Sequence, residues 1–147
     1  MRKVRITDSL AYHVYRSARL LRRHFLSMAT SLDMELTQEQ WFVLNKLVLE
    51  DGRSQVDLGE EIFADRPNLT RILTTMERRG LVRRRPDEED GRRIRVFLTA
   101  DGRRHHDEFA AIVPKARSQL FAGITKEDLE TAIRVLARLE SNLVKDD

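Results

Sequence analysis

Residues 83–99, Arg-Arg-Arg-Pro-Asp-Glu-Glu-Asp-Gly-Arg-Arg-Ile-Arg-Val-Phe-Leu-Thr, constrain the fold more than any other stretch of the chain. They read as a charged β-hairpin with cationic strands and an acidic, turn-rich tip. Asp90-Gly91 is a favoured turn pair, because Gly accepts the positive φ of a tight hairpin and Asp can bond its own backbone. Downstream, Ile94, Val96 and Leu98 alternate with Arg93, Arg95 and Phe97, the two-residue period of a half-buried strand. One face should meet the domain, and the other solvent or a polyanion such as DNA.

A length of 147 residues predicts one domain, 1–147, with a real core. The absence of cysteine excludes disulfides and thiolate chemistry, which fits a reducing compartment. The basic N-terminus lacks the apolar stretch of a signal peptide, and no apolar run reaches the roughly 18 residues of a membrane span, so the expectation is a cytoplasmic protein with no membrane partner. The formal charge of +3 conceals an uneven distribution: residues 66–95 hold ten Arg and five acids, with no Lys. Arg can fork two bonds to a phosphate or a guanine, which Lys cannot. Alone, such a run is equally a solvated, salt-bridged face; its neighbours argue otherwise.

Leu10, Val14, Ala18, Leu21, Phe25, Met28 and Leu32 form the seam of a long amphipathic helix over about Ser9–Ser31. Arg16, Arg19, Arg22 and Arg23 occupy its other face, so a partner helix is implied. Thr37-Gln38-Glu39-Gln40 fits a capping box ahead of a helix carrying Trp41, Val43, Leu44, Leu47 and Val48 and ending near Asp51-Gly52. Ser54 caps a short helix with Val56, Leu58 and Ile62 expected inward. Asp65 caps another, with Pro67 in its first turn. In that second helix Leu69, Ile72, Leu73 and Met76 point inward and leave Arg66, Asn68, Thr70, Arg71, Thr74 and Arg78 outside, a face able to meet base edges and phosphates. Gly80 stops it, Leu81-Val82 enter a strand, and the hairpin follows. Two short helices and a hairpin make a winged helix-turn-helix. Thr99 caps a further helix to about Ala122, with Pro114 expected to kink it, and a last helix from about Lys126 to Val144 carries Leu129, Ile133, Leu136, Leu139 and Leu143 on one stripe. The fold class is therefore mainly α with a small β-hairpin wing: a reading lobe at 37–101 flanked by N- and C-terminal dimerisation helices at 1–33 and 106–147.

Over nearly its whole length the chain resembles the MarR family of bacterial winged-helix regulators. The resemblance rests on Leu69-Thr70-Arg71 through Met76-Glu77-Arg78-Arg79-Gly80-Leu81-Val82-Arg83, and on Asp87-Glu88-Glu89-Asp90-Gly91-Arg92 followed by Val96-Phe97-Leu98-Thr99-Ala100-Asp101-Gly102. It implies a transcriptional regulator, most often a repressor, that binds a pseudo-palindromic operator as a homodimer. It also implies that Arg92 enters the minor groove and Asp90 steadies it, which agrees with the pull of a narrow minor groove on Arg. Gly91 stands where many members have another Arg, and Gly59 where Ala is common, the latter expected to weaken its helix slightly. Arg66, Asn68, Thr70 and Arg71 are the expected major-groove contacts, with Asn68 and Arg71 the best candidates for direct base contact. Ser54 and Gln55 are expected at a phosphate through a helix start. The competing role for Arg92 is a surface pair with Glu89 or Asp90.

Release of DNA by a small aromatic or anionic ligand is a further implication of the resemblance. Tyr12, His13, Arg16, Trp41 and Phe42 are the candidate ligand residues, since they combine rings with a cation able to hold a carboxylate; aromatics at such spacings are more often plain core, and an Arg such as Arg16 is more often solvated. His105-His106-Asp107-Glu108 lacks one-face metal geometry, because adjacent helical side chains point about 100° apart, and is expected to be solvated helix. No cofactor is implied. The chain has no phosphate loop, Cys nucleophile or Gly-x-Ser-x-Gly elbow, so it is not expected to be an enzyme. Two rival readings are a sequence-indifferent architectural DNA-binding protein, for which charge would suffice, and a dimeric helical adaptor for acidic proteins.

Overall fold

In the computed structural model, which describes residues 5–144, a 3-10 turn at Ile6–Asp8 leads into α1 (Leu10–Ser31) and α2 (Gln38–Leu49). β1 (Arg53–Ser54), α3 (Gln55–Glu61), α4 (Arg66–Arg78), β2 (Val82–Pro86) and β3 (Ile94–Leu98) follow, then α5 (Ala100–Leu120) and α6 (Lys126–Val144). The chain divides into two compact units, one through Ile112 and one from Val113 onward.

Helix starts follow from local chemistry. Ser9 accepts the Tyr12 N–H, Ser54 that of Asp57, and Asp65 that of Asn68; at α2, Thr37 and Gln40 exchange both bonds of a capping box. Thr99 Oγ1 caps α5 by accepting the Gly102 N–H at 2.9 Å. α4 ends through Gly80 at φ 72°, whose N–H bonds the Glu77 carbonyl while the Leu81 N–H bonds that of Met76. This is a Schellman ending, for which Gly is suited because it lacks a Cβ.

The core of the first unit forms where the apolar faces of these helices meet the sheet. Val43, Leu44 and Leu47 of α2, Leu58 of α3, Leu69, Leu73 and Met76 of α4, Val82 and Val96 of the sheet and Phe109 of α5 are all buried. Each such side chain contributes about 1.5–3 kcal/mol. α3 departs from the expected face: Leu58 is buried and Ile62 half-buried, but Val56 is 59% exposed. A helix of two turns gives too few apolar positions to fix its rotation from periodicity alone.

The sheet is antiparallel with order β1-β3-β2, and β1 adds a third strand to the expected hairpin. Val82 lies opposite Leu98 and Pro86 opposite Ile94, so the wing loop runs over residues 87–93. Asp90-Gly91 is therefore not a two-residue hairpin turn, and Gly91 does not use a positive φ. The loop is organised by Asp87, which is buried rather than solvated. Its Oδ1 accepts the N–H groups of Glu89 and Asp90 at 2.8 and 3.1 Å, and its Oδ2 pairs with Arg95 Nε.

α5 runs on through Pro114 without interruption. In the second unit α6 starts at a cap made by Thr125, and Ile133, Leu136, Leu139 and Leu143 are exposed along it. Among the described residues no helix is long and apolar enough to cross a membrane.

Candidate nucleic-acid interface

The amphipathic division of α4 turns Leu69, Leu73 and Met76 inward, and that rotation leaves Arg66, Thr70 and Arg71 exposed, with Asn68 half-buried beside them. Arg71 Nη2 donates to Asn68 Oδ1 at 2.7 Å, and Gln55 Nε2 donates to Thr70 Oγ1 at 3.2 Å. The structure thus joins Gln55, Asn68, Thr70 and Arg71 into one polar surface spanning α3 and α4. Ser54 sits at its edge but is buried, its hydroxyl accepting the Asp57 N–H. It holds the start of α3 rather than projecting from it.

On the wing, Asp90 Oδ1 accepts the backbone N–H of Arg92 at 3.1 Å, and the Arg93 N–H bonds the Asp90 carbonyl. Asp90 steadies Arg92 through the main chain. Among the described residues the Arg92 guanidinium has no ion pair, so the competing surface pair with Glu89 or Asp90 does not form.

Four residues that sequence reasoning passed over fix the wing. Glu77, near the end of α4, accepts the Arg84 backbone N–H at 2.8 Å on Oε1 and that residue's Nε and Nη2 at 2.9 and 2.8 Å on Oε2. Arg84 Nη2 also reaches Thr74 Oγ1 at 3.2 Å. These bonds, the backbone one foremost, hold the Glu77 carboxyl below its ordinary pKa. At the far end, Arg95 bonds Asp87 with Nε and the Gly52 carbonyl with Nη1 at 2.8 Å, which ties the wing loop to the turn before β1. The Arg95 pair first, then the two loop N–H groups, lower the Asp87 carboxyl to about 2. The one signal in the sequence was the presence of acids, Glu77 and Asp87, inside an Arg-rich run.

Of the candidate ligand residues, Tyr12 packs edge-on against His13, which is exposed, as are Arg16 and Phe42. Trp41 is tilted against Phe109 and stacked on His106 with centroids 5.0 Å apart. His106 is therefore packed against a ring, not solvated as expected, and its Nδ1 lies 2.9 Å from Asp107 Oδ1. Among the described residues, one buried side-chain nitrogen lacks a partner, His24 Nε2 on α1.

The geometry can be set beside known proteins. The model of the MarR family matches residues 36–94, which span the helix-turn-helix and the wing as far as β3. The PcaV transcriptional regulator of Streptomyces coelicolor, solved in complex with its natural ligand, is 25% identical and superposes with a TM-score of 0.85 over 96% of this chain and 98% of that one. Two further structures share the fold. A MarR-family transcriptional regulator from Silicibacter pomeroyi is 23% identical, with a TM-score of 0.75 over 97% and 94% of the two chains. The transcriptional repressor CouR, bound to a 23-mer DNA duplex, is 23% identical, with a TM-score of 0.83 over 95% and 98%. The family and these neighbours are transcriptional regulators, not enzymes. The MarR family model thus covers the winged helix-turn-helix lobe at 36–94, and the fold is similar to that of these regulators along nearly the whole chain.

Proposed function

We propose that the protein is a sequence-specific double-stranded DNA-binding regulator acting in the cytoplasm as a homodimer, and that it represses from a pseudo-palindromic operator until a small aromatic or anionic ligand releases it. One arrangement carries the DNA-binding reading. The outward face of α4 is locked by the Glu77–Arg84 fork to a wing whose loop is held by Asp87 and whose Arg92 has no ion pair among the described residues. Arg66, Asn68, Thr70 and Arg71 take the major groove, Arg92 takes the minor groove with Asp90 setting its backbone, and Gln55 meets phosphate from the α3 start that Ser54 caps.

A second copy supplies cover for the exposed Leu10, Val14 and Leu21 of α1 and for the exposed Ile133 and Leu143 of α6. The ligand reading is supported by the PcaV structure, which holds that protein's natural ligand, and by the unpartnered His24 nitrogen, which joins Tyr12, His13, Arg16, Trp41 and Phe42 as a candidate contact.

The test is selection of duplexes from a random library, followed by affinity measurement against scrambled DNA across a salt series. Arg92→Ala should weaken the selected duplex roughly tenfold or more, about 1.4 kcal/mol, and Asn68→Ala should relax its sequence preference. Equal, steeply salt-dependent binding to both duplexes would establish the architectural reading instead. Absence of duplex binding would establish the adaptor reading.

A further inference from the structure

α3 and α4 end in the same geometry on different residues. α4 closes on Gly80 at φ 72°. α3 closes on Phe63 at φ 54°, with the matching pair of bonds from the Phe63 N–H to the Glu60 carbonyl and from the Ala64 N–H to the Gly59 carbonyl. A Cβ in the left-handed region crowds the backbone, and a bulky side chain there is a genuine outlier. Phe63 is 90% exposed, so burial does not offset the strain. Folding gives no reason for a ring at this position, and strained residues of this kind collect where function requires them.

The ring stands at the rim of a cavity of about 660 Å³ between α3, the start of α4 and the wing. Phe63, Val56 and Ile94 give it an apolar wall, and Arg66, Arg92 and Arg93 give it charge. None of the three guanidinium groups has an ion pair among the described residues. Of the two acids on its lining, Asp65 is engaged in capping α4, which leaves Glu60 against three arginines. Two of those arginines belong to different grooves on the DNA-binding reading, Arg66 to the major and Arg92 to the minor. Neighbouring grooves of a duplex are divided by one sugar-phosphate strand, so a lobe that enters both must straddle that strand, and the space between Arg66 and Arg92 lies over it. The lining suits the strand in kind: arginines for phosphate oxygens, and an apolar face for the carbons of deoxyribose, which carries no 2′-hydroxyl.

We propose that this cavity cradles the DNA backbone between the two grooves, that the Phe63 ring packs on a deoxyribose there, and that the contact selects deoxyribose over ribose at that step. The cradle rests on the DNA-binding reading above and adds to it a contact that is neither a base edge nor a phosphate. A 2′-hydroxyl on the packed sugar would exchange water for the face of a ring, which disfavours it. The arginines hold the strand by charge and Phe63 holds it by apolar burial, so the two kinds of contact answer differently to salt.

The assay is affinity for a duplex selected by the full chain, measured across a salt series. Phe63→Gly suits the left-handed backbone, so its Tm should stay within about 4 °C of the parent's. Its affinity should fall about tenfold at every salt concentration, with the slope against salt unchanged. Arg93→Ala should instead reduce that slope by about one. A single ribonucleotide walked along each strand should weaken the parent severalfold at one step of each half-site, and that step should vanish from the Phe63→Gly profile, whereas effects of ribose on the duplex itself persist in both proteins. Unchanged affinity in Phe63→Gly overturns the contact, as does a larger fall in Tm, which would make the ring a folding contact. A reduced salt slope in Phe63→Gly overturns it as well, because the loss would then belong to the arginines. An unchanged slope in Arg93→Ala overturns the placing of phosphate in the cavity, and identical ribonucleotide profiles overturn the selection of sugar. In each of these cases the parent still selects its duplex, and the DNA-binding reading stands. If no duplex is selected, that reading has failed and the cradle falls with it.

Discussion

Gly102→Ala places a methyl group where the fold has no room for one. A Cβ built on Gly102 lies 2.0 Å from the Leu81 carbonyl oxygen, 2.8 Å from Leu98 Cδ1 and 3.0 Å from the Leu81 carbonyl carbon. Ordinary contact begins near 3.4 Å, so the first turn of α5 and the start of β2 must part by more than an ångström. The Leu81 carbonyl also accepts the N–H and the hydroxyl of Thr99, at 3.2 and 3.0 Å. Separation thus strains the α5 cap as well. Alanine favours a helix over glycine by about 0.8–1.0 kcal/mol. Against this stand roughly 1–3 kcal/mol for overpacking and about 0.5–1.5 kcal/mol for each hydrogen bond lost. The net is a destabilisation of about 3 kcal/mol, or roughly 6–12 °C in Tm for a chain of this size. Thermal melts by circular dichroism at matched chain concentration measure it, since any self-association would make Tm depend on concentration. A Tm equal to or above the parent's would refute the close approach of Gly102 to Leu81.

Other substitutions probe the wing and the caps. The Asp87 carboxyl titrates at about 2 in the fold against an ordinary 3.8, so its contribution is complete above the higher value and disappears as pH falls through the lower. The stability gap between the parent and Asp87→Asn should therefore narrow from about pH 5 to about pH 2; a gap constant across denaturant titrations at those pH values would refute the assignment. Glu77→Ala removes the acceptor of the Arg84 N–H on β2, an edge strand of the sheet, and hydrogen exchange at that amide should quicken while α4 keeps its protection. Unchanged exchange at Arg84 would argue against the fork. Thr37→Ala breaks the capping box of α2 and should cost about 1 kcal/mol, read as a fall in Tm of roughly 2–4 °C.

The parts of the fold that were legible are those decided within a few residues. Thr37, Ser54, Asp65 and Thr99 cap the helices they were expected to cap, because a cap needs only a side-chain oxygen and an N–H two or three residues on. What depends on partners remote in sequence was not legible. Asp87 stood among the acids of the wing tip, and its place is set by Arg95, whose Nη1 bonds the Gly52 carbonyl. His106 became part of the core edge through Trp41, on another helix. β1, two residues long, is recognisable only by its pairing with β3. Phe63 carried no turn signal, since the position would ordinarily be read as Gly. The outward residues of α4 were readable because its buried set is dense enough to fix the helix rotation, whereas the α3 face was not, as the exposed Val56 shows.

The fork between Glu77 and Arg84 has a consequence for the grammar of the DNA. Because one carboxylate grips both the main chain and the side chain of the wing's first strand, helix and wing form a ruler of constant length inside each protomer. On the DNA-binding reading, the distance from a half-site's core to its flank is then written into a single chain, and inserting one base pair between them should be as damaging as changing a contacted base. In the proposed homodimer the distance between half-sites would belong to the paired chains instead. Two spacings in one operator would thus answer to different parts of the protein, one set within a chain and one between chains.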